Sequence, residues 1–306
     1  MNTPLSPEAR HAAHILNSNP HATIAYHNAD STPTHPDITV GTLPGHTLAA
    51  PEIRCAGAAT RLRLVTLATF RPLIAHIQIT GVCIHHTRCH NEPIPGGVQC
   101  QPAGATWVGT YGMPCRAQLK NGNEIYAALS NAHVMVVASP RPDHPQHQPD
   151  THAPAFAHLS AYAYPKPNAD NLVDAAIADS LVDGKHTIDK TIFRLGPPAK
   201  LPIDLRQGDH VTKAGRTTSV TRARVLATGA AVRVGYGNFT ALLIDQDVIQ
   251  DTDGPFSAGG DSGSAILEAS SLAPAALLFA GGGDLTIANP MRHVTSALNL
   301  LWPIFP

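Results

Sequence analysis

Three short stretches of this 306-residue chain carry side chains suited to attack on an acyl carbonyl: Gly260-Asp261-Ser262-Gly263-Ser264, Ser130-Asn131-Ala132-His133-Val134 and Asn171-Leu172-Val173-Asp174-Ala175-Ala176-Ile177-Ala178. That chemistry needs a hydroxyl, a base to take its proton, and donors for the oxyanion that forms on the carbonyl. Ser262 sits between glycines in a tight turn, where the amides of Gly260 and Ser262 can converge on one point. His133 follows the apolar run Ile125-Tyr126-Ala127-Ala128-Leu129 and is expected at a strand end. Asp174 opens an apolar strand, where a carboxylate is costly unless hydrogen-bonded; a bond to His133 would meet that cost. Taken singly, each stretch has an ordinary reading as a polar turn, a strand-end histidine or a capping aspartate. Their joint occurrence carries the chemistry.

The elements that must hold these residues are short and β-like. Composition points the same way, with 27 Pro, 24 Gly, 43% hydrophobic and only 14% charged residues. Strands are expected over Ala105 to Tyr111, Ile125 to Leu129, Leu172 to Ile177, His210 to Ala214, Arg222 to Ala227, Ala230 to Val234, Ala241 to Ile244, Ser264 to Leu267 and Ala276 to Ala280. Pro290 to Leu301 has helical apolar spacing and closes the chain as a helix. The Pro- and His-rich stretch from Ser139 to Asp170 is expected to be an exposed loop. Residues 1–96 differ in kind, being rich in His, Pro and Thr. There Ser6 and Pro7 announce a short helix over residues 5–17, and Arg61 to Thr80 reads as two strands of a small sheet, parted near Arg71-Pro72.

The order His133, Asp174, Ser262 in these contexts resembles the trypsin/chymotrypsin-fold serine peptidases. Lys213-Ala214-Gly215-Arg216-Thr217-Thr218-Ser219-Val220-Thr221 and Leu277-Leu278-Phe279-Ala280-Gly281-Gly282 resemble the bacterial and plant narrow-leaf-type trypsin-like branch. The resemblance implies a mainly β fold of two six-stranded β-barrels with a C-terminal helix. Barrel 1 would span about 97–195 and barrel 2 about 196–306, behind a small α+β extension over 1–96 of regulatory or assembly character. It further implies a serine endopeptidase acting through an acyl-enzyme, with His133 as base, Asp174 orienting it and Ser262 attacking. Gly260 and Ser262 amides would form the oxyanion hole, and Phe279, Ala280, Gly281 and Gly282 would pair with the substrate backbone. Phe256 stands where trypsin carries the acidic residue selecting Lys and Arg, which implies a smaller or apolar side chain in the first pocket. No activation site of the Arg-Ile-Val-Gly-Gly kind precedes the domain, so Asp261 is not expected to await a new N-terminus.

Other classes fit less well. An α/β-hydrolase order Ser262, Asp284, His293 exists, but position 264 is serine where that elbow needs glycine, and too few residues follow Ser262. A silent or latent protease-fold module working through residues 1–96 is the alternative function. Cys83, His85, His86, Cys89 and His90, with Cys55, Cys100 or Cys115, include zinc-ligand types at a spacing that matches no finger; His144, His147 and His152 are fainter candidates. No cofactor is expected. A net charge of -1 without basic tracts excludes a nucleic-acid partner, and no apolar run of membrane length occurs. Five cysteines, an odd number, suggest reduced thiols and a cytoplasmic setting. The expected partner is a protein or peptide substrate, and the resemblance admits a homo-oligomer.

Overall fold

The computed structural model describes residues 5–29, 31, 36–44, 54–55, 58–59, 61–66, 69–76, 83–138, 141 and 143–304. Six antiparallel strands close on themselves in the C-terminal half: His210–Gly215, Ser219–Gly235, Thr240–Gln250, Ala265–Glu268, Pro274–Gly282 and Leu285–Pro290. The path runs round the barrel and closes where Ser219–Gly235 pairs with Thr240–Gln250. Two predicted strands, Arg222 to Ala227 and Ala230 to Val234, are one strand of 17 residues. Its ladder slips register beside Gly229, whose φ of +70° suits a bulge. Val211, Val225, Ile249, Phe256, Ile266 and Leu278 fill this barrel.

Barrel 1 is built from Val98–Pro102, Trp107–Tyr111, Met113–Gln118, Glu124–Ser130, Ala155–Ala163 and Ala175–Asp179. Its filling includes Val98, Tyr111, Val134, Phe156 and Leu159. The last two correct the sequence reading. Within the stretch expected to be loop, Ala155–Ala163 forms a nine-residue strand between its neighbours in the sheet, and Pro145–His147 pairs beside it. The prolines flank that strand without entering it, so Phe156 and Leu159 can turn inward. The C-terminal helix Met291–Leu298 packs Met291, Val294 and Leu298 against Met113, Leu129, Ile177 and Leu277, so it seals the seam between the barrels. Asn299 ends it in the left-handed conformation.

The N-terminal elements continue this architecture. Ser6 caps helix Pro7–Ser18 by accepting from the Ala9 amide at 3.0 Å. Strand Ala22–His27 pairs with Ser219–Gly235, and then with Asp37–Thr42, which carries Arg61–Thr66. The small sheet is therefore an extension of the barrel 2 sheet. Arg233 reinforces the seam, donating to the carbonyls of Leu16, Asn19 and Ala22 at 2.6, 3.3 and 2.9 Å. Arg71-Pro72, expected as a break, is itself a short strand on Pro274–Gly282, and Ala75–His76 pairs with Trp107–Tyr111. Residues 77–80 lie outside the described residues.

Between Tyr111 and Met113 the chain passes so close to the Ser262 loop that a β-carbon on Gly112 would lie 2.0 Å from the Gly263 carbonyl oxygen. Gly112→Ala is therefore expected to lower unfolding free energy by about 1–3 kcal/mol through forced backbone shifts, measured by urea denaturation. An unchanged midpoint would contradict this packing.

Candidate active site

His133 and Asp174 are hydrogen-bonded to each other, and Ser262 lies in a separate loop held against Thr110 of barrel 1. His133 lies in the single helical turn Ala132–Met135 that follows strand Glu124–Ser130. Asp174 immediately precedes Ala175–Asp179. His133 Nδ1 donates to Asp174 Oδ2 at 2.6 Å and the His133 amide donates to Oδ1 at 3.1 Å, so the carboxylate fixes both ring and backbone. The Tyr236 hydroxyl donates to Oδ2 as well, at 2.8 Å. Burial, together with the neighbouring Asp174 charge, pushes the Tyr236 phenol well above its ordinary value, so it remains a donor. The Asp174 amide donates to Asn289 Oδ1 at 3.0 Å, and Asn131 donates to the Asp174 carbonyl at 2.8 Å. All three polar features of Asp174 are thus satisfied inside the protein, as burial requires.

The Ser262 loop is held by a second carboxylate. Asp261 is fully buried and faces Lys213 Nζ at 3.4 Å. It also accepts from the amides of Thr217 and Ala258 at 2.8 and 3.0 Å and from the Thr218 hydroxyl at 2.7 Å. Burial pulls the Lys213 ammonium below its ordinary value while Asp261 pulls it back. Gly260 and Gly263 adopt φ of +103° and +94°, which permits the sharp turn. Barrel 1 clamps the loop from outside: Thr110 donates from its amide to Ser262 O at 2.8 Å and from its hydroxyl to Gly260 O at 2.9 Å.

The amides of Gly260 and Ser262 both donate to one carbonyl oxygen, that of Leu73, the latter at 3.1 Å. The Leu73 amide donates to Ser262 Oγ at 2.8 Å and to the Phe279 carbonyl at 3.3 Å. Ser262 Oγ in turn donates to Phe279 O at 2.9 Å. No hydrogen bond joins Ser262 to His133 among the described residues, and His133 Nε2 is buried without a partner. On one side of Leu73, Arg71 and Pro72 pair antiparallel with Gly281 and Ala280. On the other, Ala75 and His76 pair with Val108 and Trp107. Beside His133 opens a cleft of about 740 Å³ lined by Pro72, Ile74, Tyr164, Tyr236 and Phe239, with the Tyr236 and Phe239 rings stacked at 5.3 Å.

Solved structures share this arrangement of barrels. Thermobifida fusca protease A is similar with a TM-score of 0.50 and 15% identity, over 69% of this chain and 98% of that one. The chain has the trypsin/chymotrypsin fold. A glutamic acid specific serine protease is similar with a TM-score of 0.48 and 18% identity, over 68% of this chain and 98% of that one. For the chymotrypsin of Cellulomonas bogoriensis the corresponding values are 0.48 and 15%, over 69% and 98%. No protein-family description matches the sequence, and no curated protein matches it.

Within this trypsin/chymotrypsin fold the remaining candidates separate. Phe256 is fully buried in the barrel 2 core, 5.7 Å below Lys213 Nζ, and Leu73 packs against that same core. The Cys and His cluster is not brought together. His86 lies between the Gly97 carbonyl at 2.7 Å and Ser219 Oγ at 2.9 Å, and His90 Nε2 lies 3.0 Å from the His85 carbonyl. Cys89 faces backbone carbonyls, and burial pushes the Cys100 thiol up to about 12. Among the described residues no group of three or more His, Cys, Asp or Glu is placed to hold a metal ion; the side chain of Cys55 lies outside them. No described helix is long and apolar enough to cross a membrane. The alternative hydrolase order is overturned: His293 pairs with Asp245 at 2.6 Å, and Asp284 accepts from Gln250 at 3.3 Å.

Sequence reasoning missed Lys213, Tyr236 and Leu73. Lys213 carried a signal, since a lysine in the apolar strand His210–Gly215 needs a buried counter-charge. Lys213→Met leaves Asp261 buried without its cation and is expected to cost about 3–5 kcal/mol of stability, read by thermal and urea unfolding. A loss below 1 kcal/mol would show that the amides and Thr218 suffice to hold the carboxylate.

Proposed function

We propose that this chain is a serine endopeptidase that hydrolyses peptide bonds of protein or peptide substrates through an acyl-enzyme on Ser262. The observation that carries this reading is the convergence of the Gly260 and Ser262 amides on one carbonyl oxygen next to the Ser262 hydroxyl. Two backbone donors fixed in a buried turn are what a developing oxyanion requires, and each is typically worth roughly a hundredfold to a thousandfold in rate. His133, its Nδ1 proton committed to Asp174, keeps Nε2 as the lone pair that takes the Ser262 proton and returns it to the leaving amine. Asp174 stabilises the imidazolium that forms, and Tyr236 orients Asp174 through the same oxygen, Oδ2, that His133 Nδ1 meets. Phe279, Ala280, Gly281 and Gly282 offer the strand edge on which a substrate backbone lies. Phe256 and its apolar neighbours close the pocket for the residue before the scissile bond. No step needs a cofactor.

A latent protease-fold module is the second reading, favoured by the Ser262 hydroxyl bonding to Phe279 O rather than to His133.

A fluorophosphonate probe is expected to label the purified chain on the peptide containing Ser262 and to leave Ser262→Ala unlabelled; absence of label from the wild type at any pH between 6 and 9 would refute the peptidase reading. Tyr236→Phe, which keeps the ring stack and removes the bond to Asp174, is expected to lower kcat about tenfold with KM little changed. A change confined to KM would remove Tyr236 from the orienting role.

A further inference from the structure

We infer that the chain is its own substrate, that the bond cut is Leu73-Ile74, and that the enzyme selects leucine-like apolar residues before the scissile bond. The inference rests on the reading of Ser262 as nucleophile and deepens it. Residues 71–76 cross the site in an extended course, paired on both sides of Leu73. Upstream, Phe70 is buried in the core formed by Ile24, Val232, Val234 and Phe279, and its carbonyl accepts from the Gly235 amide at 3.1 Å. From that anchor Arg71 and Pro72 add a strand to the edge at Ala280 and Gly281. Leu73 then places its carbonyl on the two converging amides, and Ala75 and His76 continue as a strand on Val108 and Trp107 of the other barrel. A peptide paired on both sides of a carbonyl that sits on paired donors beside a serine is placed as a substrate is placed.

The side chains add specificity to this backbone placement. Leu73 packs on the core of barrel 2, and Ile74 packs on the core of barrel 1. The strand edge leaves room for it: a β-carbon on Gly281 would stand 2.9 Å from Leu73 Cδ1. Lys213 and Asp261 near Phe256 neutralise each other, and the Asp251 carboxylate accepts from the Phe256 amide at 3.0 Å. A Lys or Glu in place of Leu73 would bring a charge against an apolar core.

Cleavage balances within the chain plus one water. Ser262 Oγ bonds to the Leu73 carbonyl carbon while its proton passes to His133 Nε2. The carbon-nitrogen bond to Ile74 then breaks as that proton passes to the Ile74 nitrogen. Water hydrolyses the ester, leaving a Leu73 carboxylate and restoring the serine. The Ser262 hydroxyl is bonded to Phe279 O and accepts from Leu73 N, so it must first turn to His133. Until it does, the strap occupies the Gly260 and Ser262 amide donors. After cleavage residues 1–73 keep their sheet pairing and the Arg233 bonds, so the two pieces stay associated.

The test is a time course of intact mass and N-terminal sequencing on the full chain, wild type and Ser262→Ala, with chromogenic peptides carrying Pro followed by Leu, Lys or Glu before the scissile bond. The wild type is expected to yield a fragment beginning at Ile74 that co-elutes with its partner piece, and Ser262→Ala to remain whole. Leu peptides are expected to exceed Lys and Glu peptides at least about tenfold in kcat/KM. A wild type that hydrolyses peptides yet stays whole, or is cut elsewhere, overturns self-cleavage at this bond. A preference for Lys or Glu overturns the pocket assignment. Failure of both probe labelling and peptide hydrolysis removes the peptidase reading itself and this inference with it.

Discussion

The buried carboxylate of Asp261 is the constraint from which the site follows. A charge so deeply placed is tolerated only with a counter-charge and a full set of donors, and Lys213, Thr217, Thr218 and Ala258 supply them. Meeting those donors bends residues 258–264 into the turn that aims the Gly260 and Ser262 amides at one point. Thr110 locks the turn from the other barrel. An internal lysine meets this acid, so the donor geometry is set within the folded barrel itself.

Those donors are already occupied, by the Leu73 carbonyl. The strap over residues 71–76 takes strand pairing from both barrels and packs Leu73 on one core and Ile74 on the other. Its anchor at Phe70 belongs to a lobe whose strands extend the barrel 2 sheet, so the strap is delivered by architecture that is already folded. The Asp174 side shows a parallel economy, in which one carboxylate holds the His133 ring, the His133 backbone and Tyr236.

Much of this was legible in the sequence because the motifs and the strands report local physics. Gly-Asp-Ser-Gly marks a turn, and an aspartate at the head of an apolar strand demands a partner; Asp174 accepts from His133 Nδ1 at 2.6 Å. The β-rich build and the C-terminal helix followed from short periodic runs, and the two barrels from the family resemblance. What stayed hidden depends on contacts distant in sequence. Tyr236 reaches Asp174 across 62 positions, and Leu73 reaches Ser262 across 189. Arg71-Pro72 looked like a break because proline ends strands, yet on an outer edge its missing N–H costs nothing. Ala155–Ala163 was obscured by the prolines that surround it.

The position of the Leu73 carbonyl decides whether residues 71–76 lie in the site as a substrate does. A crystal structure of full-length Ser262→Ala, whose chain lacks the attacking hydroxyl, addresses this directly. Continuous density from Phe70 through His76, with the Leu73 oxygen within hydrogen-bonding distance of both the Gly260 amide and the amide of residue 262, is the predicted result. A cleft empty of residues 71–76, or Leu73 outside it with the two amides diverging, would contradict the account.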